Sequence, residues 1–268
     1  MTASPVGRLS VRFFALGYLA LLLLVPIGVV LYRTFEPGVG EVWSSITTPA
    51  AVSAFWLTIE IAAIAVPLNT IFGIVAALVL VRSRVRGKRL LEAFIDLPFA
   101  ISPVVIGLAL FLLYGRQGWL GPTLTDAGIQ IIFSVPGMVL ATIFVCLPFV
   151  VREVAPVLRE IGDEQEQAAA TLGASRWQTF RRITLPAIRW GVAYGVVLST
   201  ARAIGEFGAV SVVSGKISGE TITLPLLVEN RYSNFDLAGA YAASALLAVI
   251  ALATLLAMTL LQRKGDSR

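Results

Sequence analysis

The chain has 268 residues, of which 57% are hydrophobic and 14% charged, with a mean hydropathy of +0.85 and a formal net charge of +5. A soluble domain carries about 25% charged residues, so this chain lacks the charge to cover a water-exposed surface, and a bilayer is the solvent that suits it. It has no histidine, and Cys146 is its single cysteine; this excludes a disulfide framework, His-ligated zinc, Ser-His and Cys-His nucleophile pairs and His proton relays.

A helix needs about 20 mostly apolar residues to cross the hydrocarbon. The first such run is Phe13–Tyr32. Arg8 and Arg12 precede it as they would in a signal peptide, but the run is long for one and no A-x-A-like site follows, so an uncleaved anchor is expected. Further runs are Phe55–Val81, Phe94–Tyr114, Ser134–Val151, Gly191–Val213 and Leu237–Leu261. The expected fold class is therefore all-α: a polytopic membrane protein with six transmembrane helices, forming one domain over residues 1–268. Lys and Arg gather at positions 8–12, 82–89, 152–189 and 263–268, while Arg33, Arg116, Lys216 and Arg231 fall in the opposite loops. Positive loops stay in the cytoplasm, so both termini are predicted to be cytoplasmic. The cations sit in short clusters and not along one track, so lipid, not nucleic acid, is the expected contact.

In the second run, Pro67 precedes Asn69, a weak candidate for a polar group beside a path. Glu60 lies near the outer interface and needs no special role. The third run contains Pro98 and Pro103. Two prolines this close interrupt a helix, and in a membrane the freed backbone groups need neighbours or water. Ser102 and Pro103 are thus expected to border a translocation path, although a kink serving packing alone fits equally.

The inner loop 152–190 is the longest and most polar. Asp163 is placed to cap a short helix, with Glu166 completing a capping box, and Gly173 to end it in the left-handed conformation. Ser175 and Gln178 form a second box, and Trp177, Phe180, Arg181 and Thr184 fall on one face of the second helix. Small residues at the elbow (Ala168, Ala169, Ala170, Gly173 and Ala174) let another surface approach closely. Local chemistry alone leaves open a docking knob or a plain helical connector.

This stretch resembles the membrane subunits of bacterial ABC importers, whose cytoplasmic loop reads E-A-A-x3-G-x9-I-x-L-P. Here Gln167-Ala168-Ala169 is followed after three residues by Gly173, and after nine more by Ile183-Thr184-Leu185-Pro186. Gln167 stands where the family has glutamate, with Glu166 just before it. The resemblance implies that Glu166, Gln167, Ala168, Ala169, Gly173, Leu185 and Pro186 belong to a coupling helix docked in a cleft of an ATP-binding subunit dimer. No G-x-x-x-x-G-K-[ST] loop occurs, so ATP and Mg are expected on that partner, with no cofactor and no enzyme site in this chain. A second permease subunit and an extracytoplasmic binding protein are implied as well.

The fifth run places Arg202 about 16 Å beyond Gly191, near the middle of a bilayer core of about 30 Å. A lone Arg there costs at least a few kcal/mol, and Glu206, four residues on, can pair with it. Two readings stand: an ion pair that fixes packing, or a cation lining an anion path. Gly191, Gly195, Gly205 and Gly208 suit close helix packing. The run RRITLPAIRWGVAYGVVLSTARAIGEFGAVSVVSG and the GETITLPL after it are similar to sulfate/thiosulfate importer permeases, specifically the W-type subunit that works with a related T-type subunit. Molybdate permeases share A-R-A-x-G-E-F-G-A; the match beyond Gly208 favours sulfate. Rival classes are another oxyanion permease, a stand-alone anion carrier or channel, and a membrane scaffold or sensor.

Overall fold

Hydrocarbon offers backbone N–H and C=O groups no partner, so a chain this apolar must satisfy them within its own segments. The computed structural model describes residues 5–266, and every regular element among them is helical. Arg268, counted above in the last basic cluster, lies outside the described residues. In chain order the helices are α1 (Pro5–Phe35), α2 (Val39–Ile46), α3 (Pro49–Arg82), α4 (Lys88–Ala100), α5 (Pro103–Tyr114), α6 (Gly121–Asp126) and α7 (Val135–Glu160). They continue with α8 (Glu164–Thr171), α9 (Arg176–Thr179), α10 (Leu185–Ile204), α11 (Gly208–Val213), α12 (Leu224–Ser233) and α13 (Leu237–Asp266). A π-helical turn, Phe180–Thr184, joins α9 to α10.

Four stretches are long and apolar enough to cross a membrane: Phe13–Phe35, Pro49–Arg82, Val135–Glu160 and Leu237–Thr254. Helices α4 and α5 make a fifth if taken together, but they meet at a bend of 110°. The expected third run is thus a sharply broken one, not a kinked rod. Pro103 opens α5, and Ser102 before it takes an extended conformation, as a residue preceding proline must. The expected fifth run is also divided: α10 stops at Ile204, Gly205 to Phe207 are non-helical, and α11 resumes at Gly208. The outer segment 214–236 is more than a loop, since α12 buries Leu224, Leu226 and Leu227 in the core. Thr58 of α3 tethers it, its Oγ1 accepting from the Leu224 N–H at 2.8 Å.

The centre of the bundle is α7, flanked by α3 and α10. Its Val150 is fully buried at the closest approach of the three helices. A Cβ on Gly73 of α3 would lie 2.5 Å from Val150 Cβ, and one on Gly195 of α10 would lie 2.8 Å from Val150 Cα. A turn away, a Cβ on Gly191 would lie 2.9 Å from the Glu153 carbonyl. Small residues let helices meet backbone to backbone where lipid supplies no hydrophobic drive. Gly205 has no such neighbour outside its own turn; its role is to end α10. Around the pinch, one apolar cluster (Ala76, Ala77, Leu80, Val154, Leu158, Ile188) packs towards the α8 end and another (Leu57, Ile106, Met138, Val213, Leu224) towards α12.

Because Gly195 faces main chain, Gly195→Val is expected to lower the unfolding temperature in detergent through a loss of about 1–3 kcal/mol. Gly205→Ala should leave it unchanged. Equal melts for the two variants would remove the pinch from this account.

Candidate docking loop and translocation path

The candidate docking loop begins where α7 ends. Asp163 occupies the N-cap of α8 but makes no side-chain cap bond, so the expected Asp163–Glu166 box is absent. Glu166 is engaged elsewhere. Its Oε2 accepts from Arg82 Nε at 3.0 Å and its Oε1 from Thr184 Oγ1 at 2.9 Å. The same Arg82 donates from Nη1 to the Leu158 carbonyl at 2.9 Å and from Nη2 to the Gly162 carbonyl. One guanidinium and one carboxylate therefore bind the ends of α3, α7 and α8 to the start of α10. Sequence reading missed this latch; its only signal was an arginine ending an apolar run and a threonine in I-x-L-P.

Gly173 does end the first helix, at φ +83°. The Gly173 N–H reaches the Ala170 carbonyl and the Ala174 N–H the Ala169 carbonyl, each at 3.0 Å, which is the Schellman pattern. The Ser175 box is present with both bonds: Ser175 N–H to Gln178 Oε1 at 2.8 Å, and Gln178 N–H to Ser175 Oγ at 3.3 Å. The expected shared face of Trp177, Phe180, Arg181 and Thr184 is not kept. The π-turn inserts an extra residue and shifts the phase of everything after it. Trp177 stays exposed, with its ring stacked 5.7 Å from Phe180, while Thr184 turns inward and is buried. Leu172 is 88% exposed beside Gly173, which has open space around it. Gln167, Ala168 and Pro186 are exposed, and Ala169 and Leu185 half-buried. The loop thus presents a small apolar knob, Leu172–Gly173–Trp177, on an ionic base.

At the middle of the bundle the two broken helices meet. A Cβ on Gly208 would lie 2.8 Å from Pro103 Cβ, and one on Gly107 would lie 2.6 Å from the Ala209 carbonyl, so the start of α5 rests against the start of α11. Ser102 is exposed at this junction. Arg202 and Glu206 do pair, Nη1 to Oε2 at 2.6 Å, with Glu206 almost fully buried and Arg202 about a third exposed. They do not share a helical face, as expected above; Glu206 lies beyond the end of α10 and closes the pair across the break. Its Oε1 accepts from the Ala209 N–H at 2.8 Å and so caps α11. Three buried polar atoms, Asn69 Oδ1, Ser199 Oγ and Thr223 Oγ1, lack a hydrogen bond to any described residue, beside Glu206, whose Oε2 is held by Arg202. They cluster at the level of α7 residues 142–146: Asn69 Nδ2 donates to the Ile143 carbonyl at 3.1 Å, Cys146 Sγ lies 3.7 Å from the Ser199 carbonyl, and Thr142 shares a hollow with Glu206 and Thr223. Buried polar groups are nearly always paired, and hydrocarbon would leave these three without a partner.

The chain matches known proteins along almost its full length. The family described as "Binding-protein-dependent transport system inner membrane component" matches residues 69–266. "Sulfate transport system permease protein CysW" of Synechocystis sp. is 53% identical over 250 residues, covering 93% of this chain and 91% of that one. The protein of the same description in Escherichia coli (strain K12) is 50% identical, covering 93% and 86%. "Sulfate transport system permease protein CysT" of Synechococcus elongatus is 40% identical, covering 93% and 90%. Among solved structures, a bacterial ABC transporter involved in the import of the acidic polysaccharide alginate superposes with a TM-score of 0.80 at 18% identity, covering 96% of this chain and 95% of that one. An all-helical chain of broken and unbroken membrane helices, matched in this way from Asn69 to Asp266, belongs to the binding-protein-dependent transport system inner membrane component family.

Proposed function

We propose that the chain is the membrane-spanning permease subunit of an ATP-driven ABC importer for sulfate, with thiosulfate as a related substrate. The observation that carries this reading is the 53% identity to a sulfate transport permease across 93% of the chain. In this reading the chain is a single membrane domain over residues 1–268 and crosses the membrane six times, with α4–α5 and α10–α11 as broken crossings. Both termini and the loop 152–190 face the cytoplasm. Helices α8 and α9 act as the coupling helix, and their knob enters a cleft of a separate ATP-binding subunit dimer, which holds ATP and Mg. A related T-type permease completes the path, and an extracytoplasmic sulfate-binding protein delivers the anion.

The latch supports the coupling role. Arg82 and Glu166 are about four-fifths buried, and hydrogen bonds to charged groups contribute about 1.5–3 kcal/mol each. A push on the knob is therefore shared among α3, α7 and α10 and not absorbed in a loose loop. Gln167, which takes the place of the family glutamate, is exposed and neutral, while the carboxylate beside it serves the latch. Docking then rests on shape and apolar contact at Leu172, Gly173 and Trp177. Arg202 supplies the cation of the path and Glu206 holds it. The pair is close to neutral, so a dianion is attracted without being trapped.

Reconstituted with its partner subunits and binding protein, the chain should import labelled sulfate only with ATP. Excess thiosulfate should compete, and molybdate should compete poorly. Uptake of molybdate but not sulfate would replace the substrate. Arg202→Ala should slow uptake with assembly intact; unchanged uptake would return Arg202 to packing. Gly173→Val places a β-branched residue at φ +83°, a strain of about 1–2 kcal/mol, and should weaken ATPase capture about tenfold. Arg82→Ala should quicken hydrogen exchange over 163–174 about tenfold, and parental protection there would dissolve the latch.

A further inference from the structure

The arginines in and around the loop 152–190 fall into two groups. Arg82 pairs with Glu166, Arg152 with Asp96 and Arg159 with Glu92. Arg176, Arg181 and Arg182 are exposed and make no ion pair or hydrogen bond to any described residue. The loop has acids of its own, but they stand apart. Asp163 and Glu164 are exposed at the start of α8, an eight-residue helix about 12 Å long, with the elbow at its other end. The loop also holds six arginines and no lysine. A guanidinium is weakly hydrated, and its planar fork takes a carboxylate in two parallel bonds. It therefore loses less than an ammonium when a partner covers it.

Arg182 differs from Arg176 and Arg181 in its place. It borders a hollow of about 260 Å³ under the elbow between α8 and α9. One water takes up about 30 Å³ in the liquid, so this hollow has room for a side chain. Leu172 and Ile183 give it apolar walls, and Gly173 and Ala174 keep it open. Gln178 is in the lining as well. Its Oε1 accepts from the Ser175 N–H, which leaves its amide hydrogens to donate. The Thr179 hydroxyl hydrogen is already given to the Ser175 carbonyl. A cation, a free amide donor and apolar walls together complement a carboxylate on a short aliphatic stem.

Lipid phosphates are anions too, but the rest of the loop favours protein. Asp163 and Glu164 would be repelled by a phosphate layer, whereas a folded partner can match acids and arginines with opposite charges of its own. Trp177 is 66% exposed one turn before Arg181, and tryptophan and arginine are the residues on which protein interfaces concentrate their binding.

We propose that this hollow receives an aspartate or glutamate of the ATP-binding subunit, its carboxylate held by the Arg182 guanidinium and the Gln178 amide. The proposal rests on the coupling reading of the loop and names the chemical group that the loop meets. Docking covers Leu172 and Ile183, takes water away from the ion pair and fixes the partner's register on the elbow.

The test uses the complete transporter in a neutral detergent and a carbodiimide, which condenses a lysine amine with a carboxylate that it touches. The chain's own lysines, Lys88, Lys216 and Lys264, all lie outside the loop. Arg182→Lys should give a cross-linked product with the ATP-binding subunit that the parent chain lacks, and peptide mapping should place the bond at one acid. Arg181→Lys should give at least about fivefold less, since adjacent residues on a helix face different ways. Arg182→Glu should weaken the hold on the ATP-binding subunit at least about tenfold, because like charges then meet, and added salt should narrow the gap. No product from Arg182→Lys, an equal yield from Arg181→Lys, or a parental hold in Arg182→Glu would overturn the proposal. A loss in Arg182→Glu that appears only when phosphatidylglycerol is added would assign Arg182 to lipid and overturn it as well. A parent chain that holds no ATP-binding subunit would remove the coupling reading itself, so the two failures are told apart.

Discussion

The wedge of Val150 between two glycines is the constraint on which the rest of the bundle depends. With no hydrophobic gain to be had between helices already in lipid, association rests on dispersion contact and close backbone approach. Gly73 and Gly195 supply that approach from opposite sides of one valine. Once α3, α7 and α10 are locked at this point, the ends of all three must fall together in the direction of Arg82 and Glu166. In the other direction, Asn69, Cys146 and Ser199 must fall together with the break after α10. The Arg82–Glu166 latch and the polar level are two consequences of one contact.

The helix breaks then acquire a common purpose. Each sits where a polar or small residue replaces a helical turn: Ser102 before Pro103, and Gly205 with Glu206 before Gly208. The breaks support one another, since α5 lies on α11 through Gly107 and Gly208. Glu206 has two roles in this arrangement: it pairs with Arg202 through one carboxylate oxygen and caps α11 through the other. An unbroken helix would carry the same residues past this level without opening any backbone to it.

How much of this was legible in the residues depended on the range of the interaction. The Schellman end at Gly173 and the box of Ser175 with Gln178 are local, set by a few neighbouring residues, and both form as read. The Asp163 box failed because Glu166 had a stronger, distant partner in Arg82, 84 positions away; a charged, half-enclosed contact outcompetes a local cap. Helix periodicity carried the Arg202–Glu206 pairing but not the break between them, since glycine within an apolar run signals packing and termination alike. The burial of Leu224 to Leu227 was hidden for a different reason. Hydropathy marks residues 214–236 as polar on average, and one apolar turn tethered by Thr58 is too short to show. Family membership, by contrast, was legible from the loop alone, because its spacing is long and fixed.

From Arg176 to Ile204 the chain is helical without interruption, the π-turn included. Trp177 of the knob and Arg202 are therefore mounted on one lever of about 43 Å, with its fulcrum where Gly195 meets Val150. Trp177 is about 27 Å from that fulcrum and Arg202 about 10 Å on the far side. A tilt of about 5° displaces the knob by roughly 2.4 Å and the guanidinium by roughly 0.9 Å in the opposite sense. The arms are unequal, so a large excursion at Trp177 becomes a small, strong one at Arg202. That proportion is suited to opening and closing the Arg202–Glu206 contact, where less than 1 Å separates an ion pair from a loosened one.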